Sequence, residues 1–337
     1  MQIFKKIRTG ARLLLIGLAI LAVGAGTPVV AYAPKTQAAA STKVSYEKTV
    51  DSHTIDIYIN SPLTDAGLWV KSVRLVVPDG WSKSSAKKYP ALWLLHGGGD
   101  NNESWTKNTD IETLAVKHQV IVVMPDTSWC SGYSDWYDTT GPRWETYLTN
   151  DLRNLLDSKY AVDGSNAAVA GLSMGGLGSL KLAEQHPDMF KAVASFSGNA
   201  DPLHAYSNSS DGVDYPGISC GANWKRVWGD DTIPAQHAIW ERNDPYVQAD
   251  KLAQMKYVYI ASGDGLSDPL NGGSIASMMP DPVEKQVNVE AHALVGKLQG
   301  LNIPADSHFY TGTHSWPYWQ EELHRSLPGL LNSIGVQ

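Results

Sequence analysis

Short apolar runs alternate with helical patterns along most of this chain, and this alternation is the feature that most constrains its fold. Two segments near the start, 54–60 and 69–77, are typical of antiparallel strands. Apolar runs typical of buried strands follow at 89–95, 120–124, 167–171, 192–196, 257–262 and 308–310. Helical patterns cover 143–159, 174–186, 282–299 and 316–332. The sequence therefore predicts an α/β fold with a mostly parallel central sheet flanked by helices on both faces.

The first 40 residues have the composition of a secretory signal peptide. Four basic side chains between positions 5 and 12 precede an apolar run, 13–25, that is too short to span a bilayer. Small-residue cleavage motifs end at Ala33 and at Ala40, and the second is preferred because the first leaves Pro34 at the new N-terminus. We therefore predict a signal peptide over 1–40 and a secreted or cell-envelope protein. The alternative is that residues 1–40 form an uncleaved membrane anchor.

The remainder, 41–337, is predicted to be a single domain, because no repeat, low-complexity tract or linker divides it. A segment rich in Gly, Ser, Asp and Trp, 201–239, has no clear periodicity and is expected to run over the edge of the sheet. The chain has two cysteines, Cys130 and Cys220. An exported protein meets an oxidising compartment, so these two can form a disulfide, with two free buried thiols as the alternative.

The charge excludes some partners. The chain carries a formal net charge of −7, and residues 1–40 contribute five cations and no anion, so the predicted mature protein carries −12. Such a protein is electrostatically unsuited to nucleic acid and to anionic lipid.

A possible nucleophile stands between a predicted strand and a predicted helix, in the pattern Gly171-Leu172-Ser173-Met174-Gly175. Gly-x-Ser-x-Gly in this context is typical of a nucleophile elbow, in which the two glycines permit a sharp turn and the serine hydroxyl is exposed. The N-terminus of the following helix places positive dipole where an oxyanion forms. A glycine-rich packing turn without catalytic function is the alternative.

A second glycine-rich loop, His96-Gly97-Gly98-Gly99, ends the predicted strand 89–95. Loops of this kind contribute a backbone N–H to the oxyanion hole of esterases. We therefore predict Gly98 and Met174 as the two backbone donors. A phosphate-binding loop is disfavoured because neither Gly-Lys-Ser/Thr nor a dinucleotide fingerprint is present, and neither a cofactor nor a metal is expected.

The predicted general base is His314, which lies between the last predicted strand and the last predicted helix, as the chain order Ser, acid, His requires. The acid is open at this point. The usual position after the strand 257–262 favours Asp264 or Asp268, and Glu284 at the start of the following helix is the rival.

Five motifs occur in an order that matches one known family: 133–137 (YSDWY), 144–149 (WETYLT), 171–174 (GLSM), 240–245 (WERNDP) and 312–316 (GTHSW). Together they resemble the secreted mycolyltransferases of the antigen 85 type. The resemblance implies the α/β-hydrolase fold, and it implies transfer of a mycolyl chain from a trehalose monoester to a hydroxyl acceptor through an acyl-serine. It also implies Ser173 and His314 as catalytic residues. The family's acid is a glutamate one helix before the histidine motif, which favours Glu284 over Asp264.

Departures from the family pattern affect sugar recognition most. The family holds trehalose with an Asp and an Arg at the positions of His96 and Gly99. Gly175-Gly176 after the nucleophile is closer to general esterases. The corynebacterial branch, which uses shorter corynomycolyl chains, fits this pattern best.

The predicted substrate-binding residues are one histidine and three tryptophans: His96, Trp136, Trp144 and Trp316. Indole rings can stack on sugar faces or line a lipid groove, although the tryptophans can equally be anchors of the core.

These residues predict a monomeric, serine-dependent acyltransferase. Its donor is expected to be a trehalose mycolate, and its acceptor trehalose, cell-wall arabinogalactan or another envelope hydroxyl, with peripheral contact to the mycolate-rich envelope. The main alternative is a secreted carboxylesterase that uses water as acceptor. A non-catalytic envelope-binding module on a hydrolase scaffold is a second alternative.

Overall fold

The strands of the protein form one nine-stranded mixed sheet, as seen in a computed structural model that describes residues 42–64, 70–207, 224–266 and 280–337. The sheet order is β1-β2-β3-β5-β4-β6-β7-β8-β9. Its strands are β1 Lys43–Thr49, β2 Thr54–Asn60, β3 Lys71–Val76, β4 Tyr89–Leu95, β5 Ile121–Pro125, β6 Val162–Leu172, β7 Phe190–Phe196, β8 Tyr257–Gly263 and β9 Asp306–Tyr310. Pairing is antiparallel from β1 to β3 and between β3 and β5, and parallel from β5 through β4 to β9. The predicted mostly parallel sheet is confirmed.

Helices follow most of the parallel strands. They are α1 Ser104–Asn108, α2 Ile111–His118, α3 Trp144–Thr146, α4 Arg153–Lys159, α5 Met174–Gln185, α6 Pro202–Ser207, α7 Pro234–Asn243, α8 Pro282–Gly300 and α9 Trp316–Ser333. A π-helical segment, Tyr147–Leu152, joins α3 to α4, so the continuous helix predicted over 143–159 is interrupted. Short 3₁₀ turns cover Trp224–Arg226 and Ala249–Gln254.

The sheet has a hydrophobic core on each face. Side chains alternate along β4, so that Trp93 packs into one core with Leu180 of α5 and Leu294 of α8. Leu92 packs into the other core with Leu323 of α9. This two-sided burial explains why the central strands are apolar throughout, and it confirms the prediction of helices on both faces.

The described residues from 42 to 337 belong to one compact unit. Within the described ranges, no helix is long and apolar enough to cross a membrane. The predicted signal peptide and Cys220 lie outside the described residues. Cys130 is disulfide-bonded, and its pairing with Cys220 stays a prediction.

A buried ion pair joins the antiparallel part of the sheet to the helix α1. Asp56 and Arg74 are direct cross-strand partners on β2 and β3. The Arg74 guanidinium donates to both carboxylate oxygens, at 2.7 and 2.9 Å, and to Oγ1 of Thr106 at 2.8 Å. The side chain of Arg74 is 8% exposed and that of Asp56 is 1% exposed. Such a bidentate pair satisfies both charges away from water.

We expect Asp56→Ala to lower the free energy of unfolding by at most about 3–5 kcal/mol, because it leaves the buried Arg74 charge with only the longer contact to Glu103, at 3.3 Å. Urea denaturation followed by circular dichroism measures the change. Asp79→Ala, which removes a carboxylate whose side chain is 71% exposed, is the matched control and should cost less than about 1 kcal/mol. Equal effects of the two substitutions would contradict this role for the pair.

Candidate active site

The carboxyl ends of the parallel strands meet at one edge of the sheet, and the predicted nucleophile lies there at the end of β6. Ser173 has φ of 53° and ψ of −121°, an unusual conformation for a residue with a β-carbon. It precedes α5, and its side chain does not cap that helix. Strain of this kind at the start of a helix is characteristic of a nucleophile elbow.

The glycines on either side of Ser173 are required by close backbone approach. A β-carbon on Gly171 would lie 2.2 Å from the carbonyl oxygen of Gly175, and one on Gly175 would lie 2.3 Å from that of Leu95. No other residue fits at these positions without movement of the backbone. The Gly-x-Ser-x-Gly pattern is therefore explained by the turn itself.

The second glycine loop lies beside the elbow. A β-carbon on Gly97 would be 3.5 Å from Cβ of Ser173. Gly98, the residue predicted to donate to an oxyanion, is exposed, whereas Met174 is buried at the first position of α5. The structure thus brings together the two loops to which the predicted backbone donors belong.

Glu284 and His314 form a short hydrogen-bonded pair in which Nδ1 of the imidazole is 2.6 Å from Oε2 of the carboxylate. His314 is 16% exposed and Glu284 is fully buried. Because the carboxylate accepts the proton of Nδ1–H, the Nε2 atom is left as the basic nitrogen of a neutral ring.

The other carboxylate oxygen of Glu284 accepts three hydrogen bonds. The donors are the backbone N–H of Gly263 at 2.6 Å, the hydroxyl of Ser197 at 2.8 Å and the hydroxyl of Ser262 at 3.1 Å. They belong to the ends of the neighbouring strands β7 and β8. These three donors satisfy the buried carboxylate oxygen and fix its orientation.

Asp281 links the helix α8 to the histidine loop. Its Oδ1 caps α8 by accepting from the N–H groups of Val283 and Glu284, at 3.0 and 3.1 Å. Its Oδ2 accepts from the backbone N–H of His314 at 2.9 Å. The Asp281 side chain therefore holds the backbone of both Glu284 and His314 in place. Sequence reasoning missed this residue, although an Asp before a Pro at a helix start is a recognisable capping signal.

Asp264, the rival candidate for the acid, has different partners. Its carboxylate accepts from Thr311 Oγ1 at 3.0 Å and from the N–H groups of Gly312 and Leu266 at 3.2 and 2.9 Å. It fastens the loop after β9, and the structure brings Glu284 to His314 instead. Asp268 lies outside the described residues.

Two of the predicted substrate-binding residues are buried. His96 is 1% exposed, and both of its ring nitrogens have protein partners: Nδ1 donates to the carbonyl of Gly97 at 2.7 Å, and Nε2 accepts from the N–H of Thr127 at 3.1 Å. Burial lowers the pKa of His96, which favours this neutral form. Trp144 is fully buried and packs edge-on against Tyr147. Neither side chain presents a surface to a substrate in this structure, so the contacts predicted for both residues lack support.

The other two predicted residues, Trp136 and Trp316, are half-buried. Trp136 donates to the carbonyl of Ser131 at 3.2 Å, and the guanidinium of Arg226 lies 5.4 Å from its ring centre. Trp316 packs edge-on against Trp105. Sequence reasoning missed an exposed tryptophan, Trp129, because exposure within a loop has no signal in the residue pattern.

A network of charges around the buried carboxylate of Glu145 explains two of the recognised sequence motifs. The carboxylate of Glu145, in the motif 144–149, accepts two hydrogen bonds from the guanidinium of Arg242, in the motif 240–245. Their lengths are 2.6 and 3.1 Å. The carboxylate also lies 3.4 Å from the buried ammonium of Lys181 and 3.1 Å from Nε2 of His186. Although burial works in the opposite direction, these partners hold the pKa of Glu145 well below its ordinary value. Both motifs therefore fasten their helical segments to α5.

No group of three or more His, Cys, Asp or Glu side chains in the described ranges could hold a metal ion. The described residues at the sheet edge include a serine, an imidazole, a carboxylate and backbone amides, the groups used in nucleophilic acyl transfer.

Comparison with known proteins identifies the family to which this chain belongs. A family model described as putative esterase matches residues 70–330. The diacylglycerol acyltransferase/mycolyltransferase Ag85A of Mycobacterium leprae is 34% identical over 261 residues, which cover 73% of this chain and 76% of that protein.

Solved structures show the same fold. MPT51 (FbpC1) of Mycobacterium tuberculosis has a TM-score of 0.61 and 23% identity, covering 82% of this chain and 98% of its own. FphF, a fluorophosphonate-binding serine hydrolase of Staphylococcus aureus, has a TM-score of 0.60 and 21% identity, covering 82% and 97%.

We expect Glu284→Gln to lower turnover of an ester substrate by about four orders of magnitude, because an amide cannot stabilise the imidazolium and favours the wrong tautomer of His314. Asp264→Asn should have a mild effect. Steady-state kinetics with an aryl ester measures both, and circular dichroism checks that each variant is folded. The reverse order of the two effects would identify Asp264 as the acid.

Proposed function

This chain belongs to the putative esterase family, in the group of the Ag85 mycolyltransferases, and from that premise we propose that it transfers a corynomycolyl-sized chain from a trehalose monoester to a hydroxyl acceptor. Membership of this family makes the protein an enzyme of the esterase and acyltransferase class. The Glu284–His314 pair, held at 2.6 Å at the sheet edge where Ser173 and the glycine loop also lie, supports the acyl-serine chemistry. The observation that supports a mycolyl donor is the 34% identity to an Ag85A mycolyltransferase.

In the first step, Nε2 of His314 takes the proton of the Ser173 hydroxyl as the serine oxygen attacks the donor ester carbonyl. The oxyanion of the tetrahedral intermediate accepts from the N–H groups of Gly98 and Met174. The intermediate collapses when the bond to the trehalose oxygen breaks, and His314 returns the proton to that oxygen. The product is an acyl-serine and free trehalose. Glu284 stabilises the imidazolium that exists between the two proton transfers.

The second step repeats this chemistry with an acceptor hydroxyl. His314 takes the proton of the acceptor, whose oxygen attacks the acyl-serine, and the proton passes to Ser173 as the ester bond to the enzyme breaks. A sugar hydroxyl competes with water for the acyl group. Binding the sugar beside the carbonyl raises its effective concentration by many orders of magnitude, which favours transfer.

The location and partners are part of the same proposal. The pattern of residues 1–40 supports export, and the donor would then be met at a mycolate-containing cell envelope. The acceptor would be trehalose, arabinogalactan or another envelope hydroxyl. The proposed enzyme acts as a monomer in peripheral contact with this envelope.

The second candidate function is a carboxylesterase with water as the acceptor. It is favoured by Gly175-Gly176 after the nucleophile and by a family described as putative esterases. The two functions share every step up to the acyl-serine and differ only in what resolves it.

We expect Ser173→Ala to abolish both catalysis and labelling by a fluorophosphonate probe, since among the described serines with positive φ only Ser173 lies directly between a strand and a helix. In-gel fluorescence after incubation with the probe measures labelling. Ser197→Ala is a useful comparison, because it removes a hydroxyl bonded to Glu284 while leaving the nucleophile, and it should still be labelled. Labelling that persists in Ser173→Ala would contradict the assignment.

Transfer and hydrolysis are separated by supplying unlabelled trehalose monocorynomycolate with radiolabelled trehalose. Transfer predicts that the label enters the glycolipid fraction and that less free acid is released as trehalose increases. Release of free acid without labelled glycolipid would establish the carboxylesterase. If neither product forms, the protein is a binding module.

A further inference from the structure

An exposed tryptophan stands beside the glycine loop of the candidate active site. The side chain of Trp129 is 68% exposed, more than any other large hydrophobic side chain that the structure describes. Its Nε1 and Cε2 atoms lie 3.9 and 4.0 Å from the position that a β-carbon on Gly99 would occupy. Gly97, two residues earlier, makes the corresponding approach to Ser173 at 3.5 Å. The indole therefore lies against the same glycine loop that approaches Ser173.

The backbone that carries this indole is fixed on several sides. The N–H of Gly99 donates to the carbonyl of Trp129 at 3.3 Å. Ser128, directly before it, donates its N–H to Oδ1 of Asp126 at 2.9 Å and accepts from Nζ of Lys71 at 2.5 Å. Cys130, directly after it, is disulfide-bonded. A large ring on a fixed backbone offers contact area at a low cost in conformational entropy.

The polar groups in the same two loops indicate what this ring would bind. Asp126 has a side chain that is 23% exposed, and within the described ranges its Oδ2 has no hydrogen-bond partner. Asp100, next to Gly99, has a half-buried carboxylate. A sugar ring offers C–H groups to the face of an indole and hydroxyl donors to carboxylates. The alkyl branches of an acyl chain offer no donors, and carboxylates beside them would be costly to desolvate.

We propose that Trp129 is the platform on which the acceptor sugar stacks, with Asp100 and Asp126 receiving its hydroxyl groups. The proposal rests on the proposed function, since it supplies the sugar that competes with water for the acyl-serine. It makes Trp129 a residue that determines acceptor specificity and leaves the formation of the acyl-serine unchanged.

The test measures the dissociation constant of trehalose by titration calorimetry and the KM for trehalose in the transfer assay. Trp129→Ala should raise both by roughly two- to tenfold, the range measured for aromatic contacts, while Trp129→Phe should remain within about twofold of the wild type. The rate of fluorophosphonate labelling and the hydrolysis of a short aryl ester should not change in either variant. Tyr46→Ala, which removes an exposed ring on the edge strand β1, is the matched control.

Each other result has a definite meaning. Unchanged trehalose affinity in Trp129→Ala, or no trehalose binding by the wild type, overturns the platform. Unchanged affinity together with slower acylation that worsens as the ester chain lengthens assigns the ring to the acyl chain. Trehalose binding that depends on Trp129, without any transfer by the wild type, supports the platform and contradicts the transferase.

Discussion

The carboxylate of Glu284 is the group on which the arrangement of the site depends. A carboxylate that is fully buried is tolerated only when its charge is met by donors, and here one oxygen takes three of them while the other takes the imidazole. The donors belong to the ends of β7 and β8, and the carboxylate itself to the first turn of α8. The register between these elements is therefore coupled to the orientation of His314.

The same coupling extends into the core through Ser197. Its hydroxyl donates to Glu284 and accepts from the indole N–H of Trp319 at 3.0 Å. Trp319 lies on α9, and its ring meets the imidazole of His314 edge-on, with centres 5.0 Å apart. The histidine is thus held by a carboxylate on one side and a packed indole on the other, and both supports are anchored in the helices that cover the two faces of the sheet.

Much of this could be predicted from the sequence because it depends on local patterns. The strand and helix alternation, the elbow glycines and the position of His314 after the last strand all follow from residue periodicity and spacing. The acid could not be chosen in this way. Whether Asp264 or Glu284 reaches the imidazole depends on the path of the chain between β8 and α8, which no local pattern specifies. The family resemblance favoured Glu284, and the resemblance itself is confirmed by the relatives of this chain.

The solvent exposure of the tryptophan side chains is the second property that could not be predicted from the sequence. Trp144 and Trp129 are both loop or helix-start tryptophans in a polar context, yet one is fully buried and the other is 68% exposed. Trp144 packs in the core against Tyr147, and the next residue, Glu145, is buried against Lys181 and contacts Arg242. These long-range contacts are visible only once the fold brings α5 and α7 together.

Whether an acyl-serine reacts with water or with a sugar depends more on how firmly the acceptor is held in place than on the intrinsic reactivity of its hydroxyl group. Water is always present at high concentration, so a hydroxyl acceptor competes only if it is held in place before it reacts. Holding it costs least when the protein groups that contact it are already fixed. The loop 126–131 meets that condition, because Asp126, Lys71, Gly99 and the disulfide of Cys130 restrain it from different directions. Under the proposed function, a restrained and exposed loop beside an elbow that is common to esterases would favour transfer over hydrolysis without any change in the catalytic residues themselves.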